Sequence, residues 1–173
     1  MVCGSLIVSP PDYKGGDWPG PVFKAGDVVT VRATGDPNGV PPFSQTIVAV
    51  PEIASITPAF GTYDLPTPIS RSTDTVFSWS PAGPGTVTIE LASSRPVAAD
   101  TEVYVAKCEA PGIDGKLTLP KDLLSTYPAA LHGGGIHARA TSRKTFAAGK
   151  FNIELSYGKI SSDDLNGTFE LTD

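Results

Sequence analysis

The sequence predicts an all-β chain, a sandwich of about nine or ten short strands with one short helix. Three observations carry that expectation. Thr75–Leu91, read as TVFSWSPAGPGTVTIEL, holds two runs of period two around a turn. Phe77 and Trp79 share one face of the first run, and Val87, Ile89 and Leu91 share one face of the second. Gly 18 and Pro 17 make up about a fifth of the 173 residues without a fixed period, which excludes collagen and calls for many turns. Apolar residues at helical spacing occur only in one short stretch after Pro120.

Ser80–Gly85 contains two prolines and two glycines, so Thr75–Leu91 reads as a hairpin. Such a hairpin cannot hide Phe77 and Trp79 alone, and the other strands must cover them. Trp79 is expected in the core, where its indole N–H needs a partner.

In chain order, Val2–Val8 can form a first strand, stopped by Pro10 and Pro11. Asp12–Pro21 is turn-rich and carries Tyr13 and Trp18. Val29, Val31 and Ala33 alternate with Thr30 and Arg32, a strand with one wet face. Gly35–Pro42 is a turn cluster whose Asn38-Gly39 favours positive backbone angles. Phe43–Val50 is a strand, and Ile53 and Ile56 before Pro58 mark a short edge piece. Phe60–Pro68 reads as a linker crossing between sheets. Thr101–Cys108 is expected to be central, and Lys116–Leu119 is brief. Pro120 opens the helical turn, with Leu123, Leu124 and Tyr127 on one side, placed to plug an end of the sandwich. Gly133-Gly134-Gly135 is read as a loop or bulge. Ile136, Ala138 and Ala140, then Phe151, Ile153 and Leu155, then Phe169 and Leu171, supply the last apolar rows.

A mass of 18.0 kDa suits one domain, read over residues 1–173. The net charge is −5, and the 13 basic residues are scattered, so no sequence feature supplies the basic surface a nucleic-acid binder needs. No apolar run reaches membrane-spanning length, and no basic start with an apolar core reads as a secretion signal.

Chemistry-bearing motifs are few. Cys3 and Cys108 are the only cysteines. They are either two buried or unpaired thiols or one disulfide closing a long loop in an oxidising compartment. His132-Gly133-Gly134-Gly135 matches the oxyanion segment of some esterases, but no G-x-S-x-G elbow accompanies it. His132 and His137 lack a third metal ligand at a recognised spacing. Asp12 with Asp17, Asp27 and Asp36 with Asn38, and Asp163 with Asp164 are acidic turns that read as solvated caps or, alternatively, as a calcium loop. Asn166-Gly167-Thr168 has the form of a glycosylation acceptor and predicts a surface turn. Tyr13, Trp18, Phe43, Tyr63 and Tyr127 lie in or beside turns. Tyr13, Trp18, Tyr63 and Tyr127 form a candidate binding surface, because sugar rings stack on exposed aromatics.

The runs FSWSPAGPGTVTIEL and VYVAKCEAPGIDGKLTLPKDLLSTYP carry a resemblance through Trp79, Val87, Ile89, Cys108, Gly115, Leu119, Pro120, Leu123 and Leu124. The chain resembles, from about Val22 to Lys150, a domain of secreted or envelope-attached proteins of myxobacteria and related bacteria. The likeness implies an immunoglobulin-like or related Greek-key sandwich and an extracellular or cell-envelope home, with no activity assigned. A cytoplasmic home stands as the alternative. The expectation is a non-catalytic structural or protein-interaction module without cofactor, its partner a protein or a glycan. A carbohydrate-binding module is the alternative.

Overall fold

The computed structural model describes residues 23–36, 39–97, 100–158 and 165–173. In chain order these form β1 (Val28–Ala33), β2 (Phe43–Val48), β3 (Ser55–Thr57), β4 (Thr67–Ser70), β5 (Thr75–Ser80), β6 (Thr86–Val97) and β7 (Asp100–Pro111). A 3-10 turn at Gly112–Asp114 follows, then β8 (Lys116–Leu119), α1 (Lys121–Leu124), β9 (Gly133–Ala148), β10 (Phe151–Gly158) and β11 (Leu165–Thr172). The chain is all-β and sandwich-like, as its apolar periodicity predicts. The expected strand at Val2–Val8 lies outside the described residues.

Two sheets enclose the core. One has the order β4-β11-β9-β6-β7, with β10 added to the far half of β9; the other is β3-β5-β8. Ile56, Phe77, Trp79, Leu117 and Leu119 from the small sheet meet Ile69, Val87, Ile89, Leu91, Ile136 and Phe169 from the large one in a single buried cluster. Alternation decides which residues these are, because successive side chains point to opposite faces. Along β6, Val87, Ile89 and Leu91 face in, while Glu90 faces out.

Thr75–Leu91 is not a hairpin. Strand β5 pairs with β3 and β8, and β6 pairs with β7 and β9. The Pro81–Gly85 turn therefore carries the chain from one sheet to the other. In a hairpin the two apolar rows would lie side by side on one face. As an arch they face each other across the core, and Phe77 is fully buried between the two sheets.

That arch is tied to the next crossover, from β7 to β8. Trp79 Nε1 donates to Gly112 O at 3.1 Å, meeting the need anticipated for its indole. Gly83 N donates to the same oxygen, Gly112 N donates to Gly85 O at 2.8 Å, and Trp79 N donates to Gly115 O at 2.9 Å. The two turns thus run backbone against backbone. A Cβ at Gly112 would lie 2.6 Å from Gly83 O, so this closeness requires glycine.

The far end is closed by α1 and the segment after it. Leu124, Tyr127 and Leu131 are buried there. Arg71 fixes that segment: its Nη1 donates to Tyr127 O at 3.0 Å, and its Nη2 donates to Pro128 O at 3.1 Å and Leu131 O at 2.5 Å. Asp74 Oδ1 accepts from Lys121 N at 2.9 Å and starts the helix. The short helix expected after Pro120 does plug one end.

Strands β1 and β2 form a separate two-stranded ribbon against the β9–β10 hairpin. Phe43 meets Phe146 edge to face at 5.0 Å, and Phe23 meets Tyr157 at 6.2 Å. Four further expectations need correction. Thr101–Cys108 belongs to an edge strand, not a central one. Thr67–Ser70, expected to be linker at its start, is a strand parallel to β11. Gly133–Gly135 is neither loop nor bulge but the start of β9, paired with β11 and β6. Asn166-Gly167-Thr168 lies in β11 rather than in a turn.

Two substitutions probe the ties. Trp79→Phe removes the Gly112 bond and some volume, with an expected cost of roughly 1–3 kcal/mol. Arg71→Met, which keeps the stem and removes the donors, should cost about 2 kcal/mol. Urea unfolding checks both; midpoints unchanged from the parent would refute the assigned roles.

Candidate interaction edge

A sheet edge is a row of backbone donors and acceptors without a partner, and proteins protect such rows with short strands, proline or bulges. Most edges of this sandwich are protected in that way. Strand β4 has four residues and contains Pro68, β3 has three, and β8 has four and stops at Pro120. Strand β7 has twelve residues and pairs with β6 along its whole length without a bulge. Its other side pairs with no described strand, and proline appears only at its end, Pro111.

The outward row of β7 is Val103, Val105, Lys107 and Glu109, all exposed. Val103 is 65% exposed and Val105 55%. Cross-strand register sends Tyr104, Ala106, Cys108 and Ala110 inward, opposite Ser93, Leu91, Ile89 and Val87. Two adjacent valines on the wet face of an edge that no described strand covers are the apolar feature most suited to another strand.

Two charge pairs close within this hairpin. Lys107 Nζ lies 2.6 Å from Glu109 Oε1, and this contact holds the Glu109 carboxyl below its ordinary range. Nearer the tip, Arg95 Nε donates to Glu102 Oε2 at 2.9 Å, and the Tyr104 hydroxyl donates to the same oxygen at 2.5 Å. The Tyr104 bond, then the Arg95 bond, lower the Glu102 pKa. The same bond raises that of Tyr104, because ionisation would destroy the donor. The Tyr104 ring packs 5.9 Å from Tyr127, which links the tip to the closing segment.

The other sequence candidates are dispersed. Tyr127 is 6% exposed, and its hydroxyl donates to Leu91 O at 3.3 Å. It is a core residue, removed from the candidate aromatic surface because Arg71 draws its segment over the sandwich end. Tyr63 is 90% exposed on a turn where Thr62 and Leu65 exchange backbone bonds, so it remains. Tyr13, Trp18 and Cys3 lie outside the described residues. Cys108 is half-buried, and burial raises its thiol pKa.

Asp27 caps its own bend, accepting from Lys24 N at 2.8 Å. Asp36 takes part in the Gly35–Pro42 turn, with Gly39 N donating to its carbonyl. Asp12, Asp17, Asn38, Asp163 and Asp164 lie outside the described residues. Among the described residues, no three of His, Cys, Asp and Glu gather as a metal site. The His132-Gly133-Gly134-Gly135 run has no open hollow. Gly134 lies between β11 and β6, where a Cβ would meet Ala92 O at 2.1 Å, and Ser93 Oγ donates to Gly133 O at 2.5 Å. His137 Nδ1 contacts Asn166 Oδ1 at 2.5 Å on the outer face. Among the described residues, no helix is long and apolar enough to cross a membrane.

Val103 and Val105 did not enter the predicted site, because apolar residues on both faces of Thr101–Cys108 read as a central strand. A signal for the edge was present: Lys107 and Glu109 share the parity of the two valines and mark that row as wet. Comparison of the chain with family models, curated proteins and solved structures finds no match.

The hairpin tip should respond to acid. The depressed Glu102 pKa means its contribution is present above the carboxyl's ordinary value, near pH 4.5, and is lost as pH falls through the folded value. Amide exchange at Ser93–Arg95 and Glu102–Tyr104, corrected for intrinsic rates, should rise on going from pH 6 to pH 3. It should rise less in Glu102→Gln, which is already uncharged at pH 6. An identical response in both proteins would refute the carboxylate's role.

Proposed function

We propose that the chain is a non-catalytic, structural or protein-interaction module of an extracellular or cell-envelope protein, with β7 as the edge to which a partner strand adds. The observation that carries this reading is the twelve-residue β7 with Val103 and Val105 exposed on an edge that pairs with no other strand among the described residues. Backbone bonds along the edge supply affinity, and the valines select apolar residues at alternate positions of the partner. The rigid sandwich holds the edge straight, since the opposite side of β7 is fully engaged with β6. The extracellular or envelope part rests on the resemblance around Trp79, Cys108 and Pro120, which also carries the immunoglobulin-like reading.

Tyr63 favours a second reading, a carbohydrate-binding module. Its turn is anchored by the Gly61–Thr168 bridge and by the Thr168 hydroxyl, which donates to Thr62 O. A glycan array probed with the parent and with Tyr63→Ala tests it; equal signals from both would refute a Tyr63 site.

The strand-addition reading is tested by selecting displayed random peptides of eight residues against the immobilised protein at low density. Expected are extended sequences with apolar residues at every second position, whose binding falls about tenfold or more in Val105→Lys. Peptides that bind the parent and Val105→Lys alike, or no enrichment at all, would overturn it.

A further inference from the structure

We propose that β7 adds to β7 of a second copy of this chain, antiparallel about a two-fold axis centred on Tyr104. The proposal rests on the reading of β7 as an addition edge and names its partner. An isologous contact demands a surface complementary to itself. The outward row of β7 meets that demand in one register.

Antiparallel pairing keeps outward residues opposite outward residues, so the axis must pass through a residue position rather than between two. Centred on Tyr104, Val103 of each copy lies opposite Val105 of the other, and Thr101 lies opposite Lys107. Both valines of both copies are then covered by valines. Centred on Ala106, Val105 would face Lys107 and Val103 would face Glu109. Centred on Cys108, Lys107 and Glu109 would match across the axis, but Val103 would reach past Pro111 and find no strand. Covering the exposed apolar residues selects the Tyr104 register.

Charge does not oppose the approach. Lys107 and Glu109 are 2.6 Å apart within one strand, and Arg95 and Glu102 are 2.8 Å apart across the hairpin. Both pairs are complete before a second copy arrives. On the inner side, Tyr104 faces its counterpart, its hydroxyl held by Glu102 and its ring seated near Tyr127. The outcome is one continuous sheet running through two sandwiches, with the β7 edge of each removed from solvent.

Sedimentation velocity on the full chain over a wide concentration range tests the proposal. A reversible dimer is expected, weakened about tenfold or more by Val105→Lys and unaffected by Thr46→Lys on the exposed face of β2. Circular dichroism verifies that each variant is folded. A second variant keeps the test decisive if Val105→Lys fails to fold. Val103→Cys with Val105→Cys, made with Cys3→Ser and Cys108→Ser, should oxidise to a covalent dimer. A chain that stays monomeric at all concentrations while the selected peptides still bind overturns the second copy and leaves strand addition standing. No dimer and no peptides overturns both. A monomer whose β7 amides are all protected from exchange assigns the edge to another segment of the same chain and overturns the proposal. A dimer that survives Val105→Lys without cross-linking lies on another face and overturns it as well.

Discussion

The oxygen of Gly112 is the point on which the two sheets depend. It accepts from the indole of Trp79, in the small sheet, while belonging to the turn that leaves the large one. Trp79 is also a core side chain, 6% exposed, so one residue joins apolar packing to the polar needs of a corner. A buried carbonyl at a crossover costs several times a hydrogen bond if left alone. Here it is satisfied from the side chain and from the adjacent turn. The β5–β6 and β7–β8 connections therefore cannot move apart separately, and the facing of the two sheets follows from them.

Much of the interior was legible because a strand's period is short and unambiguous. Phe77, Trp79, Val87, Ile89, Leu91, Ile136, Ala138 and Phe169 were all placed in apolar rows by alternation, and all are buried. Alternation reports faces, not neighbours. It could not tell that β5 and β6 face each other rather than pair, because both arrangements bury the same rows. It also could not tell an edge from a centre, which is why β7 was misplaced. Tyr127 stood both in the expected plug and in the candidate aromatic surface; three backbone carbonyls converging on Arg71, 56 to 60 residues away in sequence, decide for the plug. The glycine run at Gly133 read as loop for a related reason. Glycine signals freedom in isolation, but here it lets β9 lie against β11 and β6 where a side chain would collide.

The candidate edge and the core share one hairpin. The β6 half from Thr86 to Ala92 lies between β7 and β9, while the stretch beyond it pairs with β7 alone. The tip consequently relies on other contacts: the Arg95–Glu102 pair, the Tyr104 hydroxyl and the tilted contact of the Tyr104 ring with Tyr127. Rigidity at the edge is thus borrowed from the core at one end and from electrostatics at the other. The valines stand between these two supports.

Strand β9 extends for sixteen residues, its first part between β6 and β11 and its last part joined to β10. The β1–β2 ribbon rests on that last part. Load applied along β9 itself therefore travels down one continuous backbone into the middle of the large sheet. It meets rows of hydrogen bonds lying across the direction of pull on both flanks, so they must shear together rather than unzip in turn. In mechanical terms β9 is a tie rod, and a pull on its end beside the ribbon would draw on the strength of the large sheet.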